Sequence, residues 1–297
     1  DYPGSASGQP TGKKWTATYG VVGMCAFGKA QWLTDGMNTE GVSAHFLYMQ
    51  NYCTYQEPKD DDTDVSEIDL IAYLLGTCKS LDEVKAAMAD INVYGFDPGM
   101  GFAPPAHLLM HDAEGSLAIE FHPEGHVVVD NPVGVGTNPP YLPWHLTNLN
   151  NYIGMTAAVP GPEMVEGIKL TAVGQGAGYR GIPGDWTPPA RFVRAFTMVA
   201  SSYQAQDGND AEMATLHILN NFDIPAGLIQ EAGPDGKPVD EITDYLTISN
   251  LTGKRYVYRT HGDSTVRVVD LSSTDFSSTR VIPIDTTEFG GFTPTTI

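Results

Sequence analysis

The sequence predicts an α+β fold in which helices separate groups of strands. Along the chain, the hydrophobic pattern predicts strands, then helices, then strands, then helices, and finally strands. The 297 residues, 41% of them hydrophobic, are enough to bury one large core. No internal repeat or linker divides them. We therefore expect residues 1–297 to form a single domain.

The first group of strands contains two strands joined by a turn. Residues 15–27 are rich in Thr, Tyr, Val and Met, which predicts a long and largely buried strand. Residues 42–49 predict a second strand, and Asp-Gly-Met-Asn at 35–38 predicts the turn that leads to it.

Helices and further strands follow in alternating blocks. Apolar residues at helical spacing predict a helix over 65–75, and Ser80 followed by Glu83 predicts a capped start for the next helix. The remaining predictions are a meander at 107–111, 117–121 and 127–129, helices at 144–152, 189–203 and 211–220, and closing strands at 245–249, 255–258 and 266–270.

The charge of the chain excludes some partners. The formal net charge is −20, which repels a phosphate backbone, so we expect no nucleic-acid partner. The longest apolar run, 70–75, is too short to span a bilayer, and we expect no membrane partner. The acidic residues at 60–62, with Asp64 and Glu67, are interpreted as a solvated loop or helix start.

The sequence contains no convincing cofactor loop or cysteine nucleophile. Gly-Gln-Gly-Ala-Gly-Tyr at 174–179 has Tyr179 where a dinucleotide fingerprint requires glycine, and it lacks the Gly-Lys of a phosphate loop. We interpret these glycines as backbone turns and expect no cofactor. Cys25 lies in an apolar strand pattern without a basic neighbour, which is typical of an unreactive thiol.

Two histidine pairs have a spacing of four residues, His107 with His111 and His122 with His126. On a helix this spacing can bind zinc, but the first pair lies in a predicted strand and the second spans a Pro-Glu-Gly turn. Neither pair has the Glu of HExxH. We interpret them as surface or hairpin histidines and expect no metal.

Three segments carry a more specific signal. They are Asp-Gly-Met-Asn-Thr-Glu-Gly-Val at 35–42, Asn-Pro-Val-Gly-Val-Gly-Thr-Asn-Pro-Pro at 131–140 with Trp-His-Leu-Thr-Asn-Leu at 144–149, and Gly-Ile-Pro-Gly-Asp-Trp-Thr-Pro at 181–188 with Ala-Arg-Phe at 190–192. In order and separation they resemble the choloylglycine hydrolases, the family of bile salt hydrolases and penicillin V acylases. The resemblance implies the four-layer αββα sandwich of N-terminal-nucleophile hydrolases, which agrees with the α+β prediction.

The resemblance also implies a catalytic mechanism. The family's nucleophile is a cysteine exposed as the first residue of the mature chain, with its own α-amine as the base. Matching the segment from Trp15 onward to the family pattern places this cysteine, and an Arg and an Asp that follow it, before Asp1. We therefore expect the nucleophile to precede residue 1.

Three residues match family positions individually. Asn138 matches the oxyanion asparagine, Arg191 the active-site arginine, and Tyr48 the residue whose backbone N–H completes the oxyanion hole. By themselves these residues also allow a turn-capping asparagine, a salt-bridged helix arginine and a core tyrosine. Bile salt hydrolases commonly have Asn at the position of Tyr48 and penicillin V acylases commonly have Tyr, so Tyr48 favours an aromatic or fatty acyl group.

The acyl group requires an apolar cleft. The loop at 94–102 contains Phe96, Met100 and Phe102, and the resemblance implies that this loop and Phe27 border the pocket. Ordinary loop burial explains each of them about equally well.

Several functions remain open at this point. The first is an amidase of the penicillin V acylase type, acting on a small N-acyl amide. The others are a conjugated bile salt hydrolase, an N-acyl homoserine lactone acylase and a non-catalytic protein that binds acyl ligands. The resemblance also allows a homotetramer, and the compartment is left open.

Overall fold

A six-stranded antiparallel sheet forms the centre of the protein. The structure, a computed structural model, describes residues 12–233 and 236–291. The strands are β1 Val21–Cys25, β2 Leu33–Asn38, β3 Ser43–Tyr48, β4 Asp64–Ser66, β5 Asn92–Tyr94, β6 Ala106–His111, β7 Ser116–His122, β8 Gly125–Asp130, β9 Glu163–Val165, β10 Ile168–Leu170, β11 Ile229–Ala232, β12 Pro238–Glu241, β13 Tyr245–Asn250, β14 Arg255–Thr260 and β15 Arg267–Asp270. The helices are α1 Glu67–Thr77, α2 Leu81–Ala89, α3 Leu142–Asn148, α4 Pro188–Ser201 and α5 Gly208–Leu219.

The sheets and helices stack in four layers. The central sheet has the order β1-β2-β3-β6-β7-β8, and a second sheet has the order β13-β14-β15. One face of the central sheet packs on α1 and α2 through the largest hydrophobic cluster. On its other face, Met37 of β2 packs against Tyr256 of β14 and Leu271. The outer face of the second sheet packs on α5 through Leu216 and Leu219. The predicted αββα sandwich is confirmed.

Most of the predicted elements are present, including the β6-β7-β8 meander and the strands β13 to β15. The start of α2 is capped as expected, because the backbone N–H of Glu83 donates to Ser80 Oγ at 3.3 Å. The pairs β4-β5, β9-β10 and β11-β12 were not predicted, since strands of three or four residues show little periodicity. No helix in the described residues is long and apolar enough to cross a membrane.

Two predictions for the first strands are wrong. The strand predicted at 15–27 is limited to β1, because the backbone N–H groups of Thr18 and Tyr19 donate to the carbonyl of Gly76 at the end of α1. The turn predicted at 35–38 lies within β2. Its glycine, Gly36, pairs directly with Gly23 of β1. The two strands approach closely there because neither residue has a side chain.

The acidic segment at 60–67 is only partly solvated. Residues 60–62 are exposed, as expected, but the side chains of Asp64 and Glu67 are buried. Glu67 Oε2 accepts the backbone N–H of Phe96 at 2.7 Å, and burial raises the pKa of Glu67 to about 8. This carboxyl group anchors the loop predicted to border the acyl pocket.

The close contact between β1 and β2 leads to a stability prediction. A Cβ atom at Gly23 would lie 2.0 Å from the carbonyl oxygen of Asp35, so Gly23→Ala must push the strands apart. We expect the free energy of unfolding, measured by urea titration, to fall by about 1–3 kcal/mol. Gly115→Ala is the control, since a Cβ atom there meets nothing within 4 Å. Equal losses at both positions would contradict the close-contact explanation.

Candidate active site

Asn138, Arg191 and Tyr48, which are far apart in sequence, form one hydrogen-bonded group. Asn138 lies in the loop between β8 and α3, Arg191 in the first turn of α4, and Tyr48 at the end of β3. Asn138 Nδ2 donates to the backbone carbonyl of Tyr48 at 2.7 Å. Arg191 Nη2 donates to Asn138 Oδ1 at 2.7 Å. The structure therefore brings together the three residues expected to form the catalytic site.

These two partners determine the orientation of the Asn138 amide. Arginine has no acceptor, so the atom facing Arg191 must be Oδ1, and a carbonyl can only accept, so the atom facing Tyr48 must be Nδ2. The amide NH₂ has two N–H groups and the Tyr48 carbonyl occupies one of them. The second N–H donates to no acceptor within the described part of the chain and is available to a substrate oxygen.

Arg191 is held by neutral hydrogen-bond partners. Its Nε donates to the backbone carbonyl of Trp186 at 3.0 Å, and no carboxylate among the described residues forms an ion pair with it. Burial lowers the pKa of Arg191 and the neighbouring charge of Arg194 lowers it further, while the charge of Glu241 opposes both effects. A guanidinium stays charged in proteins, so this site has a positive charge directed at Asn138.

Arg194, three residues after Arg191 in α4, makes different contacts. Its Nη1 donates to the backbone carbonyls of Pro183 and Asp185, and its guanidinium lies over the rings of Trp186 and Phe222. The alternative of a salt-bridged helix arginine therefore fits neither Arg191 nor Arg194 within the described residues.

Two histidines hold the backbone on either side of the Asn138 side chain. His107 Nε2 lies 2.7 Å from the carbonyl oxygen of Thr137, and His145 Nε2 lies 3.0 Å from the carbonyl oxygen of Asn138. The expectation of a surface or hairpin histidine is wrong for His107, which is 3% exposed in β6. That expectation failed because the alternation of residues in a strand does not show which other element covers each face of the sheet.

Burial lowers the pKa of His107 to about 4 and that of His111 to about 3. His111 Nδ1 lies 2.6 Å from Ser116 Oγ in the next strand. His122 and His126 flank the β7–β8 turn, as the sequence suggested. No group of three or more His, Cys, Asp or Glu side chains in the described residues is arranged to hold a metal ion.

Glu120 supports the start of α3, a role that was not predicted from the sequence. It is fully buried in β7, and its Oε1 accepts the backbone N–H of Leu142 at 2.6 Å, where α3 begins. Burial raises the pKa of Glu120. His122 Nε2 lies 3.7 Å from its second oxygen, and the His122 ring stacks on Tyr141 at 3.9 Å. The available signal was a charged residue inside an apolar strand pattern.

The backbone of Tyr48 contributes its carbonyl to the contact with Asn138, whereas the resemblance implied a role for its N–H. The Tyr48 side chain is 46% exposed, so the alternative of a core tyrosine does not apply. Its pKa is raised by burial and by the charge of Glu231, on β11. The ring is therefore partly accessible to solvent and lies close enough to Glu231 to be affected by its charge.

The predicted acyl-binding residues lie on two connected segments. The ring of Trp32 lies 5.8 Å from that of Phe27 and 6.1 Å from that of Phe96, which joins these two residues. Met100 and Phe102 are 48% and 45% exposed on the following loop. Asp97 Oδ1 organises this loop by accepting the backbone N–H groups of residues 99, 100 and 101.

This loop leads directly to the group formed by Asn138, Arg191 and Tyr48. The carbonyl of Pro105 accepts the backbone N–H of Met49, and Ala106 pairs with Tyr48 in the central sheet. Tyr48 therefore lies between the apolar loop and Asn138. No ring contact or hydrogen bond in the described residues joins the Phe27–Trp32–Phe96 cluster to Asn138 itself.

A separate cavity of about 350 Å³ lies between the two sheets. Its walls include Asp35 and His45 of the central sheet, and Tyr245 and Thr247 of the second sheet. None of the seven predicted site residues lines it.

The three cysteines of the sequence are unsuited to nucleophilic attack. Burial is the main cause that raises the pKa of each thiol, at Cys25, Cys53 and Cys78. A nucleophilic cysteine requires the opposite shift, because the thiolate is the reactive form. The prediction of an unreactive Cys25 agrees with this environment.

Comparisons with known proteins give consistent results. The model of the linear amide C–N hydrolases, choloylglycine hydrolase family, matches residues 5–288. A bile salt hydrolase/transferase of Lactiplantibacillus plantarum is 32% identical over 269 residues, which are 89% of this chain and 81% of that protein.

Two solved structures extend the comparison. A variant of the conjugated bile acid hydrolase from Clostridium perfringens superposes with a TM-score of 0.81 and 25% identity, covering 95% of this chain and 86% of the other. Penicillin V acylase from Agrobacterium tumefaciens has a TM-score of 0.67 and 20% identity, covering 89% and 73%, and supports the fold alone.

The buried His107 leads to a prediction about pH and stability. The folded protein keeps His107 neutral down to about pH 4, whereas an unfolded histidine takes up a proton near pH 6.5. The folded state therefore loses stability as the pH falls from 6.5 through 4, by roughly 3 kcal/mol for this group. In urea titrations over this range, His107→Gln should show a shallower loss than wild type. The exposed His217→Gln should match wild type, and equal slopes for all three proteins would refute the prediction.

Proposed function

Since the chain belongs to the choloylglycine hydrolase family of linear amide C–N hydrolases, we propose that it hydrolyses a small N-acyl amide at the group formed by Asn138, Arg191 and Tyr48. The observation that carries this proposal is the orientation of Asn138. Arg191 and Tyr48 hold its amide so that one N–H group remains available to an oxygen atom. A preorganised donor of this kind stabilises an acyl-transfer transition state.

The chemistry that this site supports proceeds in two stages. A thiolate attacks the carbonyl carbon of the amide, a C–S bond forms, and the carbonyl oxygen becomes an oxyanion. The free N–H of Asn138 donates to that oxyanion, and the charge of Arg191 stabilises it through the same amide. Collapse of the intermediate breaks the C–N bond, and the amine leaves with the proton that the thiol had given to the α-amine of the same cysteine. Water then attacks the thioester, which releases the acid and restores the thiol.

The thiol in this scheme is the cysteine expected before Asp1, and its location stays a prediction. What supports it is the environment of the three cysteines within the sequence, whose pKa values are all raised by burial. Mass spectrometry of the mature protein would identify a free cysteine at its first residue.

For the substrate we propose an aromatic N-acyl amide of the penicillin V type. Tyr48 supports this choice, because its aromatic ring is half-exposed and its backbone carbonyl binds Asn138. The cluster of Phe27, Trp32 and Phe96, and the exposed Met100 and Phe102, offer apolar surface on the adjoining segments. Aromatic groups bind such surfaces through offset and edge contacts.

Conjugated bile salts are the second candidate. The observation in their favour is the 32% identity to a bile salt hydrolase/transferase and the superposition on a conjugated bile acid hydrolase. An N-acyl homoserine lactone is a third amide that fits the same chemistry. A homotetramer stays a prediction.

Turnover by the full-length gene product on penicillin V, glycocholate and an N-acyl homoserine lactone separates these candidates. We expect the highest kcat/KM on penicillin V, because of the half-exposed ring of Tyr48 and the aromatic side chains on the adjoining segments. A preference for glycocholate would support amidase activity but contradict the aromatic acyl group inferred from Tyr48. Binding of all three without turnover, in a protein with a free first-residue cysteine, would support the non-catalytic acyl-binding alternative.

Asn138→Ala tests the role of the oxyanion donor. We expect kcat to fall by about 10²–10³ with little change in KM, since the removed bond forms only in the transition state. Asn150→Ala is the control, because its amide donates to the carbonyl of Thr147 in a surface turn. If kcat of Asn138→Ala falls by less than about threefold, another group binds the oxyanion.

A further inference from the structure

The peptide units around Asn138 are held by two buried histidines from different elements. His107, on β6, binds the carbonyl of Thr137, and His145, on α3, binds the carbonyl of Asn138. The two side chains belong to residues that are 3% and 2% exposed. Consecutive carbonyls on either side of the Asn138 side chain therefore have fixed partners.

The chemistry of these contacts assigns the protonation state of both rings. A carbonyl oxygen only accepts, so the ring nitrogen that faces it, Nε2, must carry the proton in both histidines. His107 Nδ1 is buried without a hydrogen-bond partner in the described residues, which agrees with a neutral ring. A second proton on His107 would place an uncompensated charge in a site that already contains Arg191.

The same residues connect Asn138 to the helix of Arg191. The His145 ring stacks on Phe192 with ring centres 4.6 Å apart and an interplanar angle of 13°. Phe192 is fully buried and follows Arg191 in α4. In addition, Thr137 Oγ1 donates to the carbonyl of Pro188 at the start of α4, at 3.2 Å. Displacement of His145 would therefore alter the position of Asn138 relative to Arg191.

We propose that His107 and His145 are positioning residues, which hold the Asn138 amide at the oxyanion site by donating hydrogen bonds to the carbonyls of Thr137 and Asn138. The proposal rests on the proposed function, in which Asn138 binds the oxyanion. Neither histidine contacts the reacting atoms. Their effect is on geometry, and an error of about 1 Å in the placement of a catalytic group can cost about 100-fold in rate.

Paired substitutions at His145 separate its two contacts. His145→Phe keeps an aromatic ring to stack on Phe192 and removes the N–H donor. His145→Gln keeps an N–H donor and removes the ring. In the full-length gene product we expect His145→Phe to lower kcat by about 10- to 100-fold with KM within about twofold, and His145→Gln to stay within about threefold of wild type. The same order is expected for His107→Phe and His107→Gln.

The control variant is His217→Phe, which changes an exposed histidine of α5 and should leave kcat unchanged. A crystal structure of His145→Phe provides a readout that is independent of rate. We expect Asn138 Nδ2 to move away from the Tyr48 carbonyl, from the 2.7 Å of the wild-type contact.

The outcomes distinguish this inference from the proposed function. The positioning role alone is overturned if the wild type turns over an amide and His145→Phe has an unchanged kcat. It is also overturned if Asn138 stays in place in the crystal structure of that variant. Equal kcat losses in the Phe and Gln variants, together with equal losses of thermal stability, also overturn it, since they indicate a structural role. A wild-type protein that turns over none of the amides overturns the proposed function, and the positioning role with it.

Discussion

The hydrogen bonds of the Asn138 amide are the interaction on which the site depends. They join residues 90 and 53 positions apart, through the carbonyl of Tyr48 and the guanidinium of Arg191. The central sheet supplies Tyr48, α4 supplies Arg191, and the loop between β8 and α3 supplies Asn138 itself. Because each partner can act in one sense only, as acceptor or as donor, the amide has a single orientation. The packing of sheet on sheet and helix on sheet is what keeps these elements in register.

The support around this amide is polar, buried and largely neutral. His107 and His145 hold the adjoining carbonyls, and Glu120 holds the first N–H of α3. Burial moves each of these groups toward its neutral form, lowering the pKa of the histidines and raising that of Glu120. Arg191 differs from these groups because it keeps its charge, although no carboxylate among the described residues forms a direct ion pair with it and Glu241 acts on it only from a distance.

The sequence predicted the features that follow from periodicity and local chemistry. The meander from β6 to β8, the cap at Ser80 and the strands from β13 to β15 belong to this class. The resemblance located Asn138 and Arg191, but not the contact between them, because residue identity does not report distance. The turn predicted at 35–38 was wrong because Gly36 serves close strand contact. The role of His107 was missed because alternation in β6 does not show which loop covers a face of the sheet.

In the proposed mechanism, the free N–H of Asn138 binds the oxyanion. A crystal structure of the full-length protein with a phenoxyacetaldehyde adduct on its nucleophilic cysteine tests it directly, since the hemithioacetal oxygen occupies the position of the oxyanion. We expect this oxygen to lie about 3 Å from Asn138 Nδ2, with the hydrogen bond from Arg191 to Asn138 retained. An oxygen that points away from Asn138, or an aldehyde bound in the cavity between the two sheets, would contradict it.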